Sequence, residues 1–404
     1  MIKDYMNVTI FQNHQNIDPY FWTKDEILNV KDKLTPFEDR HFTIKDVQYK
    51  WKYITEHQLF NFLIPLESGV NIIVNDTHSF GNELITFLKK IQSENHTDKT
   101  IFIVLTKLIE DYWGNRDFRD NINSLKKITN TPNLKIIWDV ALYPLDNFIF
   151  SPKVQLQSYY ITRILDSEVY LYGRDVFKKY PKEYRIGFHI NKLSGGVRYE
   201  IAKKLYDYKN ENLFYTINSD CPYNNREELD KFGNYKSKTF EITLQSNNNG
   251  TGTTSLWYTK QFFELGVKSE MEIVYETSTF TMNKRLWLNK WNEKTIKHLY
   301  LGKPFIHCDP IAHKLMYKNE MIPYRSLYTD ELWNIYENWD INVDDNYTYI
   351  DELIKNIKWL SEMTQSEWSE RIGKANEVAE INKNKVDHLM FNTSLMDIVK
   401  SNIY

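Results

Sequence analysis

Short β-branched runs alternate with amphipathic stretches through the middle of the chain. Val70-Asn71-Ile72-Ile73-Val74-Asn75-Asp76, Thr100 to Leu105 and Leu134 to Asp139 are apolar almost throughout, the pattern of parallel strands buried on both faces. Glu83 to Gln92 places Leu84, Phe87 and Leu88 on one side of a helix, and Phe118 to Ile128 and Val154 to Gly173 predict two more. This order predicts an α/β layer with a parallel sheet. The pattern restarts beyond a linker at Lys178-Lys179-Tyr180-Pro181-Lys182. Strands are expected at Arg185 to Ile190, Phe214 to Ile217, Glu272 to Glu276 and Pro304 to His307, with helices at Val197 to Tyr208 and Glu293 to Leu301 and several more to the end. The first 60 or so residues are irregular, mixing aromatic and charged positions, and their pattern assigns no particular element to them. Gln245 to Gly252 reads as a loop.

Length and composition sharpen this. A chain of 404 residues exceeds one ordinary domain, and 15 % aromatic residues exclude a disordered chain. The net charge of −3 supplies no general attraction to polyanions. Cys221 and Cys308 are too far apart in sequence to form a metal-ligand motif, and two cysteines make no disulfide framework, which fits a reducing compartment. Met1 to Asn16 is polar, unlike a signal peptide, and no apolar run has the length of a membrane span, so a cytoplasmic location is expected. Abundant Asn, Lys, Ile and Tyr suit an AT-rich genome, viral or phage.

Three segments carry candidate chemistry. Asn292 is a plausible N-cap for a helix opening with Glu293-Lys294 and closed by Gly302 and Pro304. Exposed amides, the helix dipole and a lysine suit a diphosphate; the alternative is a solvated first turn. Glu276-Thr277 ends an apolar strand and so faces either a ligand crevice or solvent. Ser194-Gly195-Gly196-Val197-Arg198 links a strand to a helix and can bring amides and a guanidinium to a phosphate, or serve only as a turn.

Taken together, Glu276-Thr277, Asn292-Glu293-Lys294, Gly302-Lys303-Pro304-Phe305-Ile306, Arg198 with Leu205, and Tyr336-Glu337-Asn338-Trp339-Asp340 followed by Asp344-Asp345 to Ile357 resemble the donor-binding half of fucosyltransferase-like glycosyltransferases and their viral and bacterial relatives. The resemblance spans about residues 184–390 and implies a GT-B-like architecture of two Rossmann-like α/β domains facing a cleft. Residues 1–180 would form the acceptor side and 181–382 the nucleotide-sugar domain, with 383–404 packing back across the junction. It further implies that Lys294 and Arg198 hold the donor diphosphate, that Glu293 accepts hydrogen bonds from the ribose, and that Glu276 lines the sugar pocket. A carboxylate from the N-terminal domain would take the acceptor proton; the strand-end candidates are Asp76, then Glu83 and Asp139, with His78 able to assist.

The implied donor is a nucleotide-diphosphate sugar, with no permanently bound cofactor, no metal and an inverting transfer expected. The acceptor is expected to be a glycan or another hydroxyl. One alternative is a DNA glycosyltransferase acting on hydroxymethylated bases, with Lys89-Lys90, Lys126-Lys127, Arg174 and Lys178-Lys179 as basic contributors. Another is a non-catalytic sugar-binding protein that stacks aromatic side chains on its ligand.

Overall fold

The computed structural model describes residues 6–12, 23, 25–26, 40–44, 47–55, 58, 63–75, 82–93, 99–105, 133–138, 148–152, 178–190, 197–205, 208–217, 267–275, 291, 293–339 and 348–403. The chain is α/β, as its pattern predicts, and forms two compact units. The first comprises Met1–Leu165, Arg285–Lys290 and Asp387–Tyr404, the second Asp166–Lys284 and Trp291–Val386.

The sheet of the first unit contains β1 (Met6–Gln12), β2 (Arg40–Ile44), β3 (Val47–Tyr53), β4 (Gly69–Asn75), β5 (Lys99–Leu105), β6 (Leu134–Trp138) and β7 (Phe148–Phe150), in the order β2-β3-β1-β4-β5-β6-β7. Only β2 runs antiparallel, paired to β3. The first 60 residues, which their pattern leaves unassigned, hold β1, β2 and β3. β3 alternates Val47, Tyr49 and Trp51 inward with Gln48, Lys50 and Lys52 outward, a period-2 pattern hidden by its aromatic and charged composition. Lys50 and Lys52 both engage Glu67, the first as a 2.5 Å contact and the second at 2.7 Å, and they pull its carboxyl down to about 2. Helix α1 (Asn82–Ser93) follows β4. The expected helices at 118–128 and 154–173 and the loop at 245–252 lie outside the described residues.

The second unit has a four-stranded parallel sheet of β8 (Tyr184–Ile190), β9 (Leu213–Ile217), β10 (Ser269–Val274) and β11 (Phe305–His307), in the order β11-β10-β8-β9. Its helices are α2 (Val197–Leu205), α3 (Glu293–Leu301), α4 (Pro310–Lys318), α5 (Asp330–Asn338), α6 (Thr348–Glu362) and α7 (Gln365–Asp387). β10 starts three residues before the expected strand and ends at Val274, because Ser269 and Met271 are already buried in it. α2 ends at Leu205 rather than Tyr208, whose hydroxyl bonds instead to Ser361 and Glu362. α3 closes as the sequence predicts: Gly302 takes φ +67°, with Gly302 N–H bonded to Leu299 O and Lys303 N–H to His298 O.

An ion pair lies inside this sheet. Glu272 faces Gly187 across β8, and Lys303 Nζ donates to Glu272 Oε1 at 2.6 Å and to Ser269 Oγ at 2.9 Å. Both charged side chains are buried, and His189 Nε2 lies 3.5 Å from the same carboxylate oxygen. Burial pushes the Glu272 carboxyl up, but Lys303 and His189 outweigh it and hold the group well below the usual carboxylate range. Gly187 makes room for this: a Cβ there would come within 2.4 Å of Ser269 Oγ and 2.5 Å of Glu272 Oε1.

After α7 the chain passes through a π-helical turn (His388–Asn392) into α8 (Leu395–Ser401), whose first turn is closed by a reciprocal Ser394–Asp397 capping box. Leu395, Met396 and Val399 of α8 pack into the core of the first unit with Val8, Ile10 and Trp51. Among the described residues no helix is long and apolar enough to cross a membrane.

Breaking one side of the buried pair strands the other charge. Lys303→Met is expected to cost about 3–5 kcal/mol by urea denaturation, and the double change Glu272→Gln/Lys303→Met to recover part of that loss. Gly187→Ala should also destabilise by displacing the carboxylate. A Gly187→Ala midpoint equal to wild type would refute this account of the site.

Candidate active site

The strand order of the second unit marks a ligand position. From β8 the chain crosses to β9 on one side, then returns to β10 on the other and continues outward to β11. The direction reverses between β8 and β10, and in open parallel sheets ligands bind outside the carboxyl ends of the strands at such a reversal. Among the described residues, α2 is the first helix after β8 and α3 the first after β10. The first turn of α2 contains Arg198, and that of α3 contains Glu293 and Lys294. The topology thus assigns these sequence-predicted residues to the helices that follow the two strands flanking the reversal. Glu276, Thr277 and Asn292, although expected in the same site, lie outside the described residues, as do Asp76 and Asp139.

The start of α3 is held by buried polar contacts. Thr295, the third residue of the helix, has Oγ1 2.9 Å from Nε2 of His307, the last residue of β11. Trp291, just before the helix, stacks on His307 with ring centroids 6.2 Å apart, and its Nε1–H donates to Ala312 O at 3.2 Å. Tyr336 of α5 donates to His307 O at 2.9 Å. The first turn of α3 therefore sits at the carboxyl end of β11.

The neighbouring helix start is built differently. Asp309 caps α4, accepting from Ala312 N–H at 2.8 Å, and Pro310 removes a further donor. A carboxylate already occupies the place an anion would take there, so α3 is the better anion-facing terminus of the two.

Behind the strand ends lies a second polar cluster. His313 of α4 has Nε2 2.9 Å from Glu337 Oε1 and Nδ1 3.2 Å from Tyr328 OH, and Tyr317 OH donates to the same Glu337 oxygen at 2.7 Å. Burial pushes the imidazoles of His298, His307 and His313 below their ordinary value; Lys297 adds to this at His298 and His313 adds to it at His307, whereas Glu337 opposes it at His313.

Sequence reasoning missed Thr295, His307, His313 and the Glu272–Lys303 pair. Lys303 stood in the quoted Gly302-Lys303-Pro304 motif with no role, and Glu337 stood in the quoted tail. A histidine ending an apolar strand was the available signal for His307. Of the basic residues considered for DNA, Lys89 and Lys90 are exposed on α1 and Lys178 and Lys179 are exposed ahead of β8, while Lys126, Lys127 and Arg174 lie outside the described residues.

A groove of about 1010 Å³ elsewhere in the unit is lined by Tyr328, Trp359, Arg371 and flanking residues of α5 to α7. In it Arg325 pairs with Asp330, Lys374 pairs with Glu370 at 2.7 Å, and Arg371 stacks on Trp359 at 4.4 Å.

No protein-family model matches the chain, and no curated protein matches it. Among solved structures it is similar to one described as "Trehalose-6-phosphate from E. coli bound with UDP-2-fluoro glucose", with 9 % identity over 95 % of this chain and 97 % of that one, and a TM-score of 0.39. A likeness at that level carries no argument about chemistry.

The three buried imidazoles make stability depend on pH. They bind protons less readily in the folded chain than in the unfolded one, so their contribution is complete above pH 6.5 and is lost as pH falls below it. Each adds a slope of up to about 1.4 kcal/mol per pH unit in that range. Urea midpoints measured from pH 7.5 to 5.5 should drop steeply below 6.5; a flat profile would contradict the placement of these groups.

Proposed function

We propose that the chain is a glycosyltransferase that moves a sugar from a nucleoside-diphosphate donor to a hydroxyl acceptor of the glycan type. The reading is carried by one observation: the helices bearing Arg198 and Glu293-Lys294 follow β8 and β10, the adjacent strands between which the sheet order reverses. The family resemblance of these residues supports it and supplies their roles.

In this reading Lys294 and Arg198 neutralise the diphosphate, where charge builds as the donor bond breaks. Glu293 accepts from the ribose hydroxyls, Glu276 and Thr277 border the transferred sugar, and Asn292 caps α3. The acceptor oxygen attacks the anomeric carbon from the face opposite the diphosphate, forming the new C–O bond. The old C–O bond breaks with its electron pair leaving on the diphosphate oxygen, and the acceptor proton passes to a carboxylate. The anomeric configuration inverts. Two lysine or arginine cations and the α3 amides take the place that a divalent metal fills in other transferases, so turnover is expected to survive EDTA.

Asp76 is the preferred base. It directly follows β4, which adjoins β1 where the order of the first sheet reverses, whereas Asp139 follows β6, two strands further out.

Thermal unfolding in the presence of GDP, UDP, CDP, ADP or dTDP tests the donor site. One diphosphate at 100 times its dissociation constant should add about 2.7 kcal/mol of stability, and Lys294→Ala should abolish the shift without lowering the melting temperature of the unliganded protein. Asp76→Asn should leave donor binding intact and cut turnover by about 10²–10⁴-fold. The absence of a shift with every nucleotide would reject the donor site and favour a sugar-binding protein without catalysis.

A further inference from the structure

Three features outside the proposed donor contacts have enough built structure to be weighed: the groove beside Trp359, the His313–Glu337–Tyr317 cluster and the Thr295–His307 pair. In the groove Arg325 pairs with Asp330 and Lys374 with Glu370, while Glu362 and Glu367 accept from the hydroxyls of Tyr208 and Thr364; the imidazole of His313 is closed in by Tyr328, Trp333 and Tyr336. The Thr295–His307 pair differs, because it joins a strand end to the turn of helix that carries Glu293 and Lys294.

We infer that His307 is a positioning residue for the nucleotide site, acting through Thr295 to set where the first turn of α3 presents its amides and Lys294. The inference rests on the donor-site reading above. Both side chains are buried, with Thr295 at 0 % and His307 at 1 % exposure, where a polar group left without a partner is costly. A polar pair at such a place imposes a direction and a length, 2.9 Å, that apolar packing does not.

His307 is itself held on several sides. Its carbonyl accepts from Tyr336 OH, its ring stacks on Trp291, and the edge of Phe305 meets it at 5.1 Å between centroids. The imidazole is therefore a fixed post, and Thr295 is the point at which α3 is fastened to it. Thr295 directly follows Lys294, so a shift of the fastening moves the lysine and the amides together. Misplacement by about 1 Å at such a site costs on the order of 10²-fold.

Thr295→Val removes the hydroxyl while keeping the shape, Thr295→Ser keeps the hydroxyl, and His307→Gln retains a side-chain nitrogen or oxygen near the Nε2 position. The dissociation constant of the nucleoside diphosphate that shifts wild type is measured by calorimetry for each, well below its melting temperature. The expected result is a loss of about tenfold or more in Thr295→Val, with Thr295→Ser and His307→Gln staying within about threefold of wild type. A purely structural role would lower the melting temperature of Thr295→Val and leave the affinity of the folded protein unchanged; that result overturns the inference even where Lys294→Ala still abolishes binding. Should Thr295→Val not fold, an affinity loss of tenfold or more in both Thr295→Ser and His307→Gln also overturns it. If wild type binds none of the diphosphates, the donor-site reading falls first and the inference falls with it.

Discussion

A charged carboxylate inside a parallel sheet is the constraint on which the second unit depends. Glu272 occupies an inner strand, and it stays ionised because Lys303, reaching it from the turn before β11, and His189 outweigh the cost of burial. That contact fixes more than two charges. It requires a glycine opposite, at Gly187, and it sets where the chain leaves α3, since Lys303 is also the residue whose amide closes the helix on His298 O. The stem of Lys383 crosses Gly302 closely enough that a Cβ there would lie 2.9 Å from Lys383 Cδ, so α7 is fitted to the same turn.

α3 is consequently fastened at both ends. Its last turn is tied through Lys303 to Glu272 in the body of the sheet, and its first turn through Thr295 to His307 at the sheet's carboxyl edge. A nine-residue helix has little stability of its own, so its position is decided by these attachments and by burial of Ile296, Leu299 and Tyr300. Chemistry that depends on the amides of its first turn inherits that rigidity. The contrast with α4, whose own Asp309 occupies the terminal amides, shows that two helix starts at one sheet edge are not equivalent.

The parallel strands were legible because burial on both faces leaves an unmistakable composition. Ile72-Ile73-Val74 and Phe102-Ile103-Val104 read as strands from their side chains alone. β3 was not legible by that criterion: Lys50 and Lys52 sit between Tyr49, Trp51 and Tyr53, and the run resembles an irregular surface segment until the alternation is placed in a sheet with one wet face. β10 starts earlier than its pattern predicts, because Ser269 looks like a residue outside a core. It is inside it, and both Ser269 and Glu272, where the expected strand begins, are satisfied by Lys303 from a segment more than thirty residues away.

The sequence by itself determined the α/β class, the succession of its buried strands, the extent of α3 with its glycine stop, and the candidacy of Arg198, Glu293 and Lys294. These follow from local physics: side-chain periodicity, capping chemistry and backbone freedom at Gly302. Only the tertiary structure decided that β8 and β10 lie side by side with the reversal between them, that Lys303 answers Glu272, and that Thr295 meets His307. Each of those facts is a pairing between distant segments, and a pairing energy depends on distance and burial that no single segment encodes.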